Sequence, residues 1–185
     1  MSTVYLHVGQ AGNQIGEDLW KCLINESGSM SEDIFFCRKR QIARGILVDS
    51  EPKVIKRIHD DKILSVLFPP QNMIFSENGR GNNWALGFSK TYKESHISAK
   101  VDEITLHEGA MEALRKEAEQ ADYFLGTVMT HSLAGGTGSG LGSRLLHEYR
   151  DYFGKAYLMT VSVWPSMTGE TPLQHYNTCF SMAHI

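Results

Sequence analysis

The stretch YFLGTVMTHSLAGGTGSGLGSRLLHEY, residues 123–149, places a cluster of glycines between an apolar run and an amphipathic one. Tyr123 to Thr130 reads as a strand, and Leu141, Leu145, Leu146 and Tyr149 recur at helical spacing, so the glycines form a strand-to-helix loop. Gly135-Gly136-Thr137-Gly138-Ser139-Gly140 would lay bare consecutive backbone N–H groups at a helix start, and two hydroxyls add donors. Such a loop is an anion cradle, with enough donors for a diphosphate or triphosphate. The competing reading, a flexible linker, fits poorly with a position between a strand and an amphipathic helix.

Two familiar phosphate motifs do not describe this loop. No GxxxxGK[ST] occurs, so the lysine of a P-loop is missing. Counted from Gly136, Gly138 or Gly140, the closing glycine of GxGxxG is replaced by Leu141, Ser143 or Leu145, and the cluster lies late in the chain, whereas that fingerprint opens the first βα unit.

Outward from the loop, 11 of the 17 glycines fall in three windows, Gly9 to Gly16, Gly79 to Gly87 and Gly135 to Gly142, which marks loops that a ligand approaches closely. Thr3 to Val8 reads as a buried strand ending at the turn Gly9-Gln10-Ala11-Gly12. From Asn13 to Asn25, Ile15, Leu19, Trp20 and Leu23 predict a helix with one core-facing stripe. Ser27 to Arg44 is polar and reads as a surface connection. Gly45 to Val48 is a second strand that stops at Asp49-Ser50-Glu51-Pro52, where Pro52 suits the first turn of a helix anchored by Val54, Ile55 and Ile58. Asn72 to Phe75 is a weaker strand. Val101 to Asp122, with Ile104, Met111, Leu114, Ala118 and Ala121, predicts a solvent-facing helix with a narrow buried stripe. Lys155 to Val163 is a further strand, Trp164 to Pro172 a loop, and Leu173 to Ile185 a helix. Strands alternating with helices predict an α/β, Rossmann-like, mainly parallel sheet with helices on both faces. The three glycine windows, Asp49 to Pro52 and Trp164 to Pro172 all follow strands, so they converge on the carboxyl edge in one pocket.

Composition sets the bounds. A chain of 185 residues, 42% hydrophobic and 21% charged, makes one globular domain without disulfide or metal staples. Eighteen Lys+Arg against 21 Asp+Glu, a net charge of -3, removes the global pull toward nucleic acid or an anionic membrane. Cys22, Cys37 and Cys179 are far apart with no CxxC, which indicates neither a disulfide framework nor zinc. No signal-peptide pattern and no apolar run near the ~18 residues of a membrane span is present, so a soluble protein of a reducing compartment, the cytoplasm, is expected.

Four stretches, GQAGNQIG from Gly9, LVD with Glu51-Pro52, GNNWA from Gly81, and SLAGGTGSG from Ser132, occur together in this order. In these the chain resembles the N-terminal nucleotide-binding half of tubulin, over essentially its whole length. The glycine loop alone is shared with bacterial cell-division relatives, but the GNNWA and GNQIG wording is not. Within the family, Ile42-Ala43-Arg44, Glu51-Pro52-Lys53-Val54-Ile55, Trp164-Pro165, Thr168-Gly169-Glu170, Gln174 and Tyr176-Asn177 look most like δ-tubulin, with the ζ class a close competitor. Compared with lattice tubulins, the connection after the first helix is short and the segment from Phe88 to Val101 long.

The resemblance implies GTP with Mg²⁺ on the carboxyl edge. By motif match, Gly135, Gly136, Thr137, Gly138 and Ser139, together with Ser132, would hold the phosphates, with Gln10 and Ala11 beneath them. Asp49 and Glu51 would act near Mg²⁺ through its waters. Gly81 and Asn82 would close over the γ-phosphate, and Glu170 would contact the ribose. Plainer roles stand beside these: Asp49 or Glu51 capping the next helix, Gln10 and Asn82 satisfying turn backbone, Arg80 as a solvated loop residue rather than a phosphate partner, and Arg38, Lys39 and Arg40 as a solvated run rather than a docking site. His131 reads as a core or loop residue without chemistry.

The resemblance also implies that residues 1–185 form only the N-terminal domain. The second and C-terminal domains of tubulin are missing, with most of the guanine contacts and the acidic residue that hydrolysis takes from a later loop across the subunit contact. Ile185 falls inside a helical pattern, so a truncated chain is expected, and no residue is assigned catalysis. Expected partners are guanine nucleotide and other tubulins or centriolar and microtubule proteins; the expected setting is the cytoskeleton at centriole, basal body or cilium. The alternative is a nucleotide-independent structural fragment that docks on tubulin or centriolar partners.

Overall fold

The computed structural model describes residues 2–27, 34–37, 41–89, 105–169 and 171–185. Strand β1 (Ser2–Val8) runs through the middle of a five-stranded sheet, with β4 (Gly45–Asp49) and β5 (Met73–Phe75) on one side and β6 (Phe124–Ser132) and β7 (Tyr157–Val163) on the other. Every pairing is parallel: Val8 lies beside both Val48 and His131, Asp49 beside Phe75, and Ser132 beside Val163. The strands therefore end level, and the chain reverses its direction of progress across the sheet beside β1. Ligands bind at such a switch point.

Helices cover both faces, as the alternation of elements predicts. On one face Val4, Leu6 and Val8 of β1 join Ile46, Val48 and Met129 under helices α5 (Leu106–Glu119) and α6 (Gly142–Tyr152). On the other, Leu47 packs with Trp20 of α1 (Gly9–Ser27), with Val54, Ile55 and Ile58 of α2 (Pro52–Asp60), and with Leu64 and Leu67 of the short α3 (Leu64–Leu67). Trp20 is fully buried and meets Tyr5, Phe36 and Phe68 edge-on at 5.5–5.7 Å between centroids. The remaining helices, α4 (Trp84–Phe88) and α7 (Gln174–Met182), sit over the carboxyl edge. Among the described residues no helix is long and apolar enough to cross a membrane.

Five expectations change. The first helix begins at Gly9, so Gly9-Gln10-Ala11-Gly12 is its first turn rather than a separate turn. Its stripe is displaced as well: Ile15 is 36% exposed, while Gly12, Asn13, Gly16 and Trp20 face inward. A Cβ on Gly12 would run into the Thr130 carbonyl, and one on Gly16 would lie 2.7 Å from the His7 ring, so small residues let α1 lie directly on the sheet.

The connection after α1 is not a wholly solvated surface segment. Phe36–Cys37 (β2) and Ile42–Ala43 (β3) pair antiparallel, and Phe36 and Arg44 are buried. Arg38, Lys39 and Arg40 lie outside the described residues, as does most of the long segment after Phe88. Helix α5 buries a wide face that includes Leu106, His107, Ala110, Ala113, Leu114 and Glu117. Its start is set by Glu108, whose carboxylate accepts from Thr105 N at 2.9 Å. Finally, α7 ends at Met182, so Ile185 lies past the helix.

Candidate functional site

Three helices begin around one cavity of about 290 Å³ at the carboxyl edge. The first is α1, which contributes Gly9, Gln10, Ala11 and Gln14. The second is the glycine loop, where Thr137–Leu141 form one π-helical turn that leads into α6 and where Gly135, Gly136, Thr137 and Gly138 face the cavity. The third is α2, which opens with Pro52 and presents Lys53 and Val54. The first N–H groups of a helix have no intrahelical acceptor, and the helix dipole leaves partial positive charge there, so three such starts make the cavity attractive to an anion.

The two glycine turns touch backbone to backbone. Gly9 has φ +76, and a Cβ there would stand 2.8 Å from the Gly138 nitrogen; a Cβ on Gly138 would stand 2.9 Å from the Ser132 nitrogen and oxygen. Gly135 is different, since a Cβ there would meet only Asn82 Oδ1, at 4.0 Å. Its backbone is open to the cavity, which is the space a phosphate needs.

Asp49 closes β4 and is buried, and burial pushes its carboxyl up to about 6 against the pull of backbone hydrogen bonds from Glu51 and Ser50. The Glu51 nitrogen donates to Asp49 Oδ1 at 3.3 Å. Glu51 is the N-cap residue of α2, but its side chain makes no capping hydrogen bond; the carboxylate lies against Gly79 instead. Both carboxylates line the cavity. Among the described residues no group of three or more His, Cys, Asp and Glu could hold a metal alone. Two carboxylates beside an anion cradle suit Mg²⁺, a hard cation that keeps waters and completes its shell with phosphate oxygens. The residues present thus fit both a polyphosphate and its cation.

The loop before α4 forms the remaining wall. Gly81 and Asn82 both take left-handed backbone, φ +52 and +49, in a tight turn closed by Asn83 N to Arg80 O at 2.9 Å. Asn82 lines the cavity, whereas Gly81 is exposed beside it. Ser132 lines it too. Ser139 does not: its side chain is buried and its hydroxyl donates to the Gly135 carbonyl. Glu170 lies outside the described residues, though its neighbour Thr171 lines the cavity. Arg80 is not a solvated loop residue: it is 6% exposed, donates to Asn78 O at 2.8 Å, and does not itself line the cavity.

Sequence reasoning passed over the residues that hold these loops together. Asn13 donates to Gly9 O at 2.9 Å and Val48 O at 3.0 Å, which ties the first turn to the end of β4. Ser50 Oγ lies 2.5 Å from Thr137 Oγ1, linking the carboxylate loop to the glycine loop. His131 is buried between the Gly138 carbonyl and the Ser162 hydroxyl. Asn177 of α7 stood within the motif, but only the fold shows that it joins two loops: it accepts from Trp84 N at 2.9 Å and donates to Asn82 O at 2.7 Å and Ala134 O at 2.8 Å.

Compared with known families, residues 2–185 match the Tubulin/FtsZ family, GTPase domain. The match spans the cavity and every strand of the sheet.

Proposed function

The chain belongs to the Tubulin/FtsZ family and is a tubulin-like GTP-binding protein, and on that premise we propose that it binds GTP with Mg²⁺ at the carboxyl-edge cavity. The observation that carries this reading is the convergence of three helix starts and two carboxylates on one glycine-lined space. Backbone of Gly135, Gly136 and Gly138 with the hydroxyls of Thr137 and Ser132 would receive the phosphates, Gln10 and Ala11 would lie beneath them, and Gly81 and Asn82 would close the terminal side. Ser139 would act by holding the loop in shape. Asp49 and Glu51 would orient the waters of Mg²⁺, which when bound neutralises phosphate charge. Glu170 remains the residue proposed for the ribose. Hydrolysis is assigned to no residue of this chain.

The motif wording supports a δ-like class, with ζ as the alternative, and hence a cytoskeletal role at centriole, basal body or cilium with tubulin or centriolar partners. Residues 1–185 would be the nucleotide-binding domain of such a protein. Titrating labelled GTP and ATP in the presence of Mg²⁺ tests the nucleotide reading. Tighter binding of GTP is expected, and equal or undetectable binding of both would overturn it. Localisation of the tagged native protein away from centrioles and basal bodies would overturn the δ-like role alone.

A further inference from the structure

Lys53 is the second residue of α2, and its side chain is the single cationic one among the described residues that line the cavity. Lys21 of the neighbouring α1, by contrast, pairs with Glu17 at 2.8 Å and Asp61 at 3.2 Å and does not line the cavity. Among the described residues no ion pair or hydrogen bond engages the Lys53 ammonium. Its nearest acidic neighbours in sequence do not neutralise it: the Asp49 carboxylate accepts from the Glu51 nitrogen, and the Glu51 carboxylate lies against Gly79. An exposed lysine without a partner among the described residues thus borders the cavity between the carboxylate loop and the start of a helix.

The remaining donors of the cavity are dipoles only, namely backbone N–H groups, hydroxyls and the amides of Gln10, Gln14 and Asn82. Dipoles alone leave a polyphosphate facing two carboxylates underscreened. A full positive charge must come from a bound divalent cation or from the chain. Lysine supplies a compact point charge on a flexible stem, the form in which proteins commonly meet phosphate oxygens.

We propose that Lys53 is a phosphate-binding residue of this cavity, a cation carried by the chain that sustains nucleoside polyphosphate binding when Mg²⁺ is absent. The proposal rests on the nucleotide reading of the same cavity. It adds a second source of positive charge to the one the two carboxylates recruit, and so it predicts how binding depends on the metal.

The experiment is a fluorescence titration of the chain with labelled GTP, in excess Mg²⁺ and again in EDTA, for the native sequence, Lys53→Met and Lys53→Arg. A charge-assisted contact of this kind is worth about tenfold in affinity. Native protein is expected to keep measurable affinity in EDTA. Lys53→Met should bind within about threefold of it in Mg²⁺ but about tenfold or more weaker in EDTA, and Lys53→Arg should restore most of the difference, with urea midpoints unchanged throughout. A Lys53→Met variant that matches native protein in EDTA overturns the proposal while the nucleotide reading stands. Equal weakening in both conditions, or no rescue by arginine, also overturns it. If the native chain binds no labelled GTP in either condition, the nucleotide reading fails and the proposal falls with it.

Discussion

His131 Nδ1 lies 2.8 Å from the carbonyl oxygen of Gly138, and because a carbonyl only accepts, the imidazole is the donor. The opposite nitrogen, Nε2, then accepts from the Ser162 hydroxyl at 2.9 Å. Burial lowers the pKa of this histidine, which favours the neutral ring that this arrangement requires. Through the ring, β7 braces the turn that presents the glycine N–H groups to the cavity.

Replacing His131 with alanine should therefore loosen the glycine loop as well as the core. The Gly138 carbonyl and Ser162 hydroxyl would lose partners in a buried site, a cost of about 2–4 kcal/mol with the void included. His131→Asn keeps a donor near the position of Nδ1 and should recover part of that loss. Urea unfolding measures the stability, and a GTP titration at a temperature where both variants are folded measures the site. An alanine variant with unchanged GTP affinity would show that the ring braces only the core.

A second histidine gives the fold a pH dependence. Trp20 Nε1 donates to His7 Nε2 at 3.0 Å, so His7 carries its proton on Nδ1, 2.6 Å from Thr130 Oγ1, and Thr130 in turn donates to Gly12 O at 3.2 Å. A protonated ring would turn a second N–H toward the indole N–H. Full burial accordingly pushes the pKa of His7 down to about 4 from 6.5. Between those two values the unfolded chain binds more protons than the folded one, so this stability is fully present above 6.5 and is lost as the pH falls toward 4. The loss at pH 4 should be about 3 kcal/mol from this residue. His131 adds to it in the same direction. Urea midpoints at pH 7 and pH 5 should differ more in native protein than in His7→Gln, and identical shifts would assign the dependence to other groups.

The alternation of strands and helices and the meeting of their loops were legible in the chain because both follow from local signals. Glycines, β-formers and apolar spacing report backbone needs directly. The inward face of α1 was not legible by the same means. Apolar periodicity points to Ile15, but contact with the sheet is made through Gly12, Asn13 and Gly16, whose small or polar side chains carry no hydrophobic signal. The hairpin after α1 was hidden for a related reason, since its buried residues, Phe36, Cys37, Ala43 and Arg44, sit in a segment whose average is polar. At the cavity, loops rich in glycine could be read from sequence; residues that act across the fold could not. Ser50, Lys53 and His131 acquire a role only once β4, β1, β6 and β7 lie side by side.

Two glycines three residues apart should respond differently to the same added methyl group. At Gly138 a Cβ would stand 2.9 Å from backbone atoms of Ser132, which cannot swing aside as a side chain can. Gly138→Ala should cost about 1–3 kcal/mol and weaken GTP binding strongly. At Gly135 the nearest atom is Asn82 Oδ1 at 4.0 Å, so Gly135→Ala should leave the urea midpoint almost unchanged. Any loss of GTP affinity in that variant would then come from crowding in the cavity itself. Equal destabilisation by both substitutions would contradict the close packing of the two turns.

Asn177 makes the most consequential side-chain contacts of α7. Its amide joins the 82–84 turn to Ala134 through hydrogen bonds of 2.7–2.9 Å while only 2% exposed. In Asn177→Ala the Trp84 nitrogen and two carbonyls would lose these partners, at a cost of about 2–3 kcal/mol. Asn177→Asp keeps the acceptor for Trp84 N but sets a carboxylate against the Asn82 and Ala134 carbonyls, so it should be no more stable than the alanine variant. Hydrogen exchange reads the difference locally. The amides of Asn83 and Trp84 should exchange faster in both variants, while those of β1 keep their protection. Uniform loss of protection across the sheet would mean that α7 is part of the global fold rather than a clamp on the cavity wall.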